Sequence, residues 1–543
     1  MNPSIPRRNF VKLSLLATAS MLARRKLRAG PLTASPATSA DVIVIGAGMA
    51  GVSAAYDLQQ YGLKVIVLEG RTRIGGRMWS NRLWPDDPVD LGAQWIIRSD
   101  SNPLRALARS LDLQVVPTNL QGIFAYDYDG RQLDDLTVAT IAGTYQALVE
   151  QLYAMRAERQ ARGEPDISLQ EAVDLAVQGQ PLTDEDRRRL NFALAGQFEG
   201  PYATEASKFS FYAFGENDNE SDREVMMPKG YDQLPNLLAR GLDVRLGRIV
   251  QKIEHGGDRA QVTTAFGEVL EADHVIVTLP LGVLRAGSVE FSPVLPPEKL
   301  GAINRLQMGV VNKLFLRFPE QFWPVEPDFI GYVNDTRRQW VSWVNFTRET
   351  ATTTPILEAI NAGDFARGLE DQPIEDVVAQ AMKALRVCFG PSIPDPVDWI
   401  RSTWGSDPFC RGSYSYVPVG ATPADYDLMA QPVGQRLLFA GEATSRLYPS
   451  SVHGAYLSGK REATRVLERK GLLPAVKLST VRDATGEVEV SWPSNAPGYV
   501  LQFKDDLNAP NWGFSTTPPV TRGSNFVVKD LGRAEGRFYR LAR

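Results

Sequence analysis

The 543-residue sequence predicts an α/β fold in three parts. These are an α/β domain, an α+β domain inserted into it in two pieces, and a small C-terminal module resembling a β-sandwich. Three observations carry this reading. A strand, a glycine turn, a helix and a second strand follow one another between residues 41 and 69. Apolar strand runs return at residues 272–280 and 437–441 after long blocks of different texture, so each domain is discontinuous. After Gly471, short alternating runs separated by Pro, Asn and Gly replace the helical patterns.

The first strand is Val42-Ile43-Val44-Ile45, and it leads directly into Gly46-Ala47-Gly48-Met49-Ala50-Gly51. A helical pattern runs to about Tyr61, and a second apolar run, 64–68, ends on Glu69. In this Rossmann-like arrangement Gly46 permits the turn, Gly48 admits a pyrophosphate to the backbone, and Gly51 lets the helix lie close to the sheet. The helix N-terminus supplies free N–H groups to the phosphates, and Glu69 is placed for ribose hydroxyls. Arg71-Thr72-Arg73-Ile74-Gly75-Gly76-Arg77 then adds a second glycine turn and three cations. This doublet resembles that of FAD-dependent oxidases, which implies FAD rather than NAD.

Residues 1–30 read as an export signal. Arg7-Arg8-Asn9-Phe10-Val11-Lys12 precedes an apolar run, 13–23, too short to span a bilayer. The paired arginines resemble a twin-arginine signal, so the expected location is periplasmic or at the cell surface. No segment has the apolar length of a membrane span. Residues 31–40 read as a linker. The FAD-binding domain is assigned to 41–100, 225–290 and 395–470, the substrate or cap domain to 101–224 and 291–394, and the all-β module to 475–543.

Within these limits, 89–96 is a strand breaking at Gly92. Residues 104–191 read as largely helical, with a helix over 136–162 and helix starts at the capping patterns Ser168/Glu171 and Thr183/Asp186. Short strands are expected at 242–246, 249–253, 260–264 and 269–271, and a buried one at 272–280. Residues 313–318 and 340–346 alternate as strands, and 374–389 is a helix. A strand at 437–442 and a helix at 453–468 close the main body. Strands at 487–492, 499–503, 526–528 and 538–541 make the terminal module, whose partner the sequence does not name.

A net charge of −4 lacks the basic footprint of a general nucleic-acid binder. Two cysteines, Cys388 and Cys410, allow no disulfide framework, and three scattered histidines offer no metal site.

Several motifs in order now support a wider resemblance. They are the fingerprint with Gly75-Gly76-Arg77, Asp90-Leu91-Gly92-Ala93, residues 272–285 (ADHVIVTLPLGVLR), Asn312-Lys313, Arg411-Gly412-Ser413-Tyr414-Ser415-Tyr416, and residues 439–458 (FAGEATSRLYPSSVHGAYLS). The chain resembles the flavin-containing amine oxidases over about 41–468, nearest to the polyamine oxidase and lysine demethylase branch. The resemblance implies oxidation of a primary or secondary amine, polyamines included, to an imine and then an aldehyde, with oxygen reduced to hydrogen peroxide. An exported protein would not meet histones, so that substrate is set aside. L-Amino acid oxidation, which needs a cation such as Arg98 or Arg285 for the carboxylate, and a mainly binding role for an exported flavoprotein are the alternatives.

The resemblance assigns Lys313, on an alternating stretch, to hold a water near the flavin, and Tyr414 to flank the amine. Trp404 and Ser451 fall at the substrate wall, and Glu199 at the entrance, where it is either the partner of a distant ammonium of a polyamine or a solvated residue of the cap. The cofactor residues so implied are Gly46, Gly48, Gly51, Glu69, Arg71, Gly76, Arg77, Gly92, Ala93, Gln94, Trp95, Val250, Gly441, Glu442, Ser451 and Val452. Ser413 stands where some relatives carry the cysteine bonded to FAD, so FAD is expected to be non-covalent. Ile97 and Ser451 depart from the polyamine oxidase pattern, which has histidine at the first place and Tyr or Thr at the second.

Overall fold

The computed structural model describes residues 38–97, 102–119, 122–215, 224–350, 352–473, 476–482, 487–493, 499–505, 513–514, 519–530 and 537–542. The proposed signal, most of the linker, and Arg98 lie outside the described residues. The chain divides into one compact unit over Ala34–Glu462 and a second containing Ala463–Arg543.

Two large sheets form the framework of the first unit. In the larger, Asp243–Arg245, Val65–Leu68, Ser39–Ile45, Val269–Val277 and Leu437–Phe439 lie side by side and parallel. The strand Ser39–Ile45 takes in Ser39 and Ala40, which the sequence assigns to the linker. Val42, Ile43 and Val44 are fully buried, as a strand covered on both faces requires. The helix Met49–Gln60 crosses from the first strand to the second. The expected strands at 269–271 and 272–280 are one strand, Val269–Val277. Its first half pairs antiparallel with Ala260–Thr264, and its second half pairs with Leu437–Phe439.

The second sheet runs Asp398–Arg401, Val311–Arg317, Ile356–Ala362, Ser342–Asn345, Phe329–Tyr332, Ile123–Tyr126. It corrects the sequence reading in four places. Asp398–Arg401 belongs to this sheet rather than to the nucleotide domain, because it pairs with Leu314–Arg317. Ile123–Tyr126 is a strand inside a block read as helical, and pairs in parallel with Phe329–Tyr332. The strand at 340–346 shortens to Ser342–Asn345, since Trp340 takes a left-handed φ of 57° and Phe346–Thr350 is helical. Val311–Arg317 does not alternate between core and solvent. It has neighbours on both edges and is buried along its middle, so its alternation separates two kinds of interior.

One of these interiors is apolar. Leu314, Leu316, Leu357 and Ala359 pack with Trp343 against Val377, Ala381, Met382 and Leu385 of the helix Ile374–Phe389. Each buried leucine there contributes about 2 kcal/mol. The opposite face carries Lys313, Phe315, Glu358 and Ile360, set across from one another by the register Lys313↔Ile360 and Phe315↔Glu358.

The cap helices are Asp135–Ala161, Leu169–Ala176 and Asp184–Leu194. Capping boxes at Ser168/Glu171 and Thr183/Asp186 form as the sequence predicts, each worth about 1 kcal/mol. The last of these helices widens into a π-turn, Ala195–Glu199. Such a turn lets a helix rotate its side chains onto a new face. In the second unit, the sheets Ser479–Arg482, Val488–Pro493, Asn525–Asp530, Val520–Arg522 and Gly513–Phe514, Val500–Lys504, Phe538–Ala542 share a core of Val490, Trp492, Leu501 and Val528. Among the described residues no helix is long and apolar enough to cross a membrane.

Candidate active site

A cavity of about 1150 Å³ runs from the glycine fingerprint to the polar face of the second sheet. At the fingerprint end Gly46 has φ +102°, which only glycine takes without strain. A Cβ on Gly51 would lie 1.9 Å from the Gly46 carbonyl oxygen, so helix and strand meet only without it. A Cβ on Gly48 would meet no atom within 4 Å, although Gly48 lines the cavity. Gly48 is therefore free for the sake of what enters the cavity rather than for packing. No side chain caps the helix there, and Gly48, Met49 and Ala50 present its first turn to the cavity. Glu69 accepts hydrogen bonds from the N–H of Ala47 (2.7 Å) and of Arg71 (2.9 Å). The turn thus fixes the carboxylate at the cavity wall and leaves lone pairs for hydroxyl donors.

The three arginines have different fates. Arg71 lines the cavity, but its guanidinium is held by Asp407 through bonds of 2.8 and 2.7 Å. It is thus a cavity-wall residue whose charge is already paired with Asp407. Arg73 donates to the Gly76 carbonyl (2.7 Å) and lies 4.5 Å from the Trp79 ring. Burial and the neighbouring Arg71 lower its pKa to about 10. Arg77 lines the cavity and joins Glu442 (2.9 Å) and the Ser413 carbonyl (2.8 Å). Glu442 also accepts from Ser415 Oγ at 2.6 Å, so one carboxylate ties three motifs together. Gly76, Gly92, Ala93, Gln94, Trp95, Val250, Gly441, Ser451 and Val452 all line the cavity. Gly92 has to be glycine, because a Cβ would come within 1.8 Å of the Arg77 carbonyl oxygen.

Lys313 lines the cavity from the polar sheet face and is 5% exposed. Its Nζ donates to the Asp90 carbonyl (2.9 Å) and to Gln94 Oε1, and it forms an ion pair with Glu358 Oε1 at 3.0 Å. Its backbone is locked to Ser402 in both directions, at 2.9 and 3.0 Å. The preceding Asn312 points to the other side, where its Oδ1 accepts from the Trp404 N–H at 3.0 Å and its Nδ2 donates to Glu370 at 2.6 Å. The Asn-Lys pair therefore sends one side chain to the cavity and the other to the loop that carries Trp404. Trp404 lines the cavity but is 3% exposed, and its indole N–H donates to the Leu91 carbonyl at 2.7 Å.

Tyr414 also lines the cavity, on a strand paired to Gln307–Gly309 just ahead of the Lys313 strand. Its hydroxyl donates to the Gly200 carbonyl at 2.8 Å, which fixes the ring, and burial raises its pKa. Ser413 closes a pair of bonds with the Val311 backbone, at 2.8 and 2.9 Å. Ser451 Oγ donates to the Tyr448 carbonyl (2.8 Å) and accepts from the Gly454 N–H (3.0 Å), so it serves the start of the last helix.

Glu199 requires a correction. The π-turn brings it to the cavity wall, yet it is 2% exposed. Arg338 holds it through two bonds of 2.7 Å, and Arg337 adds one of 3.2 Å. It is a neutralised wall residue rather than an entrance acid awaiting an ammonium. Ile123, Phe192, Phe329 and Ile360 make the nearby wall apolar. Arg285 donates to the Leu306 carbonyl and is not among the cavity-lining residues.

Three buried carboxyl groups cluster near Lys313. Burial raises Asp90 to about 7, against the opposing effects of the Ser80 hydrogen bond and Lys313. Burial also raises Glu358, opposed by Lys313 and Gln94, and raises Glu349 to about 8. Sequence reasoning did not find Glu358 or Arg338. The signal for Glu358 was a lone acid within Ile356-Leu357-Glu358-Ala359-Ile360, and nothing marked Arg338.

The sequence over residues 49–467 matches the family described as flavin containing amine oxidoreductase. The chain belongs to this family. Among its relatives is a protein of Oryza sativa subsp. indica named lysine-specific histone demethylase 1 homolog 3, 36% identical over 497 residues. That alignment covers 89% of this chain and 59% of the rice protein, so the chain spans about three-fifths of that relative's length. Polyamine oxidase 2 of Arabidopsis thaliana is 36% identical over 453 residues, covering 80% of this chain and 90% of that one. The solved structure of a redesigned putrescine oxidase double mutant shares the fold, with a TM-score of 0.67 and 21% identity, over 80% of this chain and all of that one. The residues present fit a flavin nucleotide. Gly48 leaves the uncapped helix start open, Glu69 is aimed by the turn, and Arg77 lines the same cavity.

Proposed function

We propose that the protein oxidises a primary or secondary amine at its α-carbon with FAD held non-covalently, releasing hydrogen peroxide. One observation carries this reading. A single cavity joins the dinucleotide fingerprint at Gly46–Gly48–Glu69 to Lys313 and Tyr414 on the second sheet. The flavin, when bound, supplies the electron acceptor for the hydride. The amine gives up two hydrogens, one from carbon as hydride and one from nitrogen as a proton. Oxygen gains the equivalent two and becomes hydrogen peroxide, and water then hydrolyses the imine to an aldehyde and ammonia or an amine. The ring of Tyr414, pinned through Gly200, orients the amine nitrogen by its π face. The apolar walls exclude water.

At the described far wall the acid is already neutralised by Arg337 and Arg338, which favours amines with an uncharged far end over polyamines. The alternative of L-amino acid oxidation loses Arg285 as a carboxylate partner. The paired arginines of the N-terminus support export through the twin-arginine route, after folding around the cofactor.

The test is a peroxide-release screen over monoamines, putrescine, spermidine, spermine and L-amino acids, with flavin bleaching followed in the absence of oxygen. Bleaching and peroxide with monoamines are expected. Turnover of L-amino acids alone, or bleaching by no compound, would remove the proposal.

A further inference from the structure

The loop that carries Arg337 and Arg338 joins the strands Phe329–Tyr332 and Ser342–Asn345. Two of its residues, Arg338 (φ 71°) and Trp340 (φ 57°), take the left-handed conformation without being glycine. Such conformations persist only where the surroundings impose them. Here Asn334 Nδ2 donates to the Gln339 carbonyl at 2.9 Å, and the Trp343 indole N–H donates to the Trp340 carbonyl at 2.8 Å. The Trp340 ring packs against Trp343 and Phe365. The loop therefore holds Arg338 in one backbone conformation at the cavity wall.

Glu199 is saturated by its neighbours. Its Oε1 accepts from Arg338 Nη2 (2.7 Å), Arg337 Nη2 (3.2 Å) and the Ala206 N–H (3.1 Å), and its Oε2 accepts from Arg338 Nε (2.7 Å). Arg338 is not. A guanidinium carries five N–H donors in a planar fork. Glu199 occupies the edge made by Nε and Nη2. The next edge, Nη1 with the second N–H of Nη2, has no partner among the described residues, and the side chain is 25% exposed. Arg337 adds positive charge without a carboxylate of its own. Its Nη2 also donates to the neutral Gln170 Oε1 at 2.7 Å, and its Nε has no hydrogen-bond partner among the described residues.

We propose that the free edge of Arg338 binds the carboxylate of a substrate whose amine lies at Tyr414, so that the substrate class is an amine with a distal carboxylate, an ω-amino acid. This deepens the proposed amine oxidation and rests on it for turnover. Two parallel N–H groups match a carboxylate bidentately, which a neutral or cationic far end cannot reproduce. The carboxylate also offsets the surplus charge of two guanidiniums sharing Glu199. Ile123, Phe192, Phe329, Val341 and Ile360 line the same cavity and give a methylene spacer an apolar wall. Both ends are tied to neighbouring residues, since Tyr414 is bonded to the carbonyl of Gly200 and Arg338 to the side chain of Glu199. The carboxylate itself does not react; hydride and proton leave from the amine end. Two further acids line the cavity away from the fingerprint. Glu205 is paired with Lys208 at 3.2 Å and accepts from the Asp364 N–H. Glu224, on the strand Glu224–Met226, is the group that a distal ammonium would select instead.

The test uses the flavin-loaded protein. Peroxide release is measured with ω-aminobutanoate, ω-aminopentanoate and ω-aminohexanoate, with alkylamines of the same lengths, and with putrescine. At the length that fits, the amino acid is expected to exceed its alkylamine by about tenfold in kcat/KM, mainly through KM. Arg338→Met is expected to lose this advantage. Because that change also strips Glu199 of its partner, Glu199→Gln/Arg338→Met is measured beside it and is expected to lose the advantage too, whereas Glu199→Gln alone keeps it. Hexanoate, which has no amine to oxidise, is titrated into each protein while flavin absorbance is followed. It is expected to perturb the parent and Glu199→Gln, and to require about tenfold more ligand in both proteins that lack Arg338. The titration needs no turnover, so it decides the role of Arg338 even if amines are not oxidised. If alkylamines are oxidised as well as the amino acids, amine oxidation stands and this inference falls. No perturbation of the parent, equal hexanoate binding with and without Arg338, or a preference for putrescine that is lost in Glu224→Gln would each overturn it.

Discussion

Arg338 meets Glu199 edge to edge, Nε to Oε2 and Nη2 to Oε1, both at 2.7 Å. With Arg337 also in reach, two cations face one carboxylate at the cavity wall. A second ammonium of a diamine would find a net positive wall there. Arg338→Met is therefore expected to shift preference from monoamines toward putrescine or spermidine, by up to about tenfold in relative kcat/KM, or about 1.4 kcal/mol. The side chain is 25% exposed, and solvent screening keeps the effect within that range. The measurement is peroxide release for both substrate types. An unchanged ratio would show that Glu199 does not read the far end of the substrate.

Gly48 and Gly51 separate a packing glycine from a ligand glycine. Gly51→Ala places a methyl 1.9 Å from the Gly46 carbonyl oxygen and is expected to destabilise the apoprotein. Gly48→Ala meets no protein atom within 4 Å, so its apoprotein should melt with the parent. It nevertheless puts a methyl at the helix start that lines the cavity, and flavin content on purification should fall. Equal melting losses for the two variants would contradict this division.

The nucleotide half of the fold was legible because its signals are local. A glycine turn between buried strands, a doublet and capping boxes each state their geometry within a few residues. The second sheet was only half legible. Ile123–Tyr126 and Phe329–Tyr332 lie some two hundred residues apart in sequence, and their pairing has no local signature. Lys313 was found through its motif, but its partners were not. Gln94, Asp90 and Glu358 come from distant segments, and only register across the sheet brings Glu358 to the same face. Arg71 and Glu199 were assigned by position in a motif. Their ion pairs with Asp407 and Arg338 depend on loops whose return path the motif does not contain.

Ser413 offers an oxygen where a thiol would be needed, and that oxygen is already bonded twice to the Val311 backbone. Cys410 lines the cavity, but burial pushes its thiol up, away from the nucleophilic thiolate. Acid precipitation of the loaded protein is expected to leave a colourless pellet and a yellow supernatant. Flavin remaining in the washed pellet would show a covalent link.

Glu349 gives a stability prediction whose sign can be worked out. It is 4% exposed, its Oε2 accepts from Thr118 Oγ1 at 2.6 Å, and its Oε1 has no hydrogen-bond partner among the described residues. Burial, with Asp328 and Glu358 nearby, raises it from the ordinary value of 4.5 to about 8. Between those values the folded chain keeps a proton that the unfolded chain releases. Stability from this group is complete below about pH 4.5 and is lost as pH rises through about 8. Glu349→Gln keeps an acceptor for Thr118 and never ionises. Its stability relative to the parent should therefore rise from pH 5 to pH 8, by roughly 1 kcal/mol per pH unit, and level off above that. Urea unfolding of both proteins across this range checks it. A difference that stays constant, or that narrows as the pH rises, would mean that Glu349 is ionised in the folded chain at neutral pH.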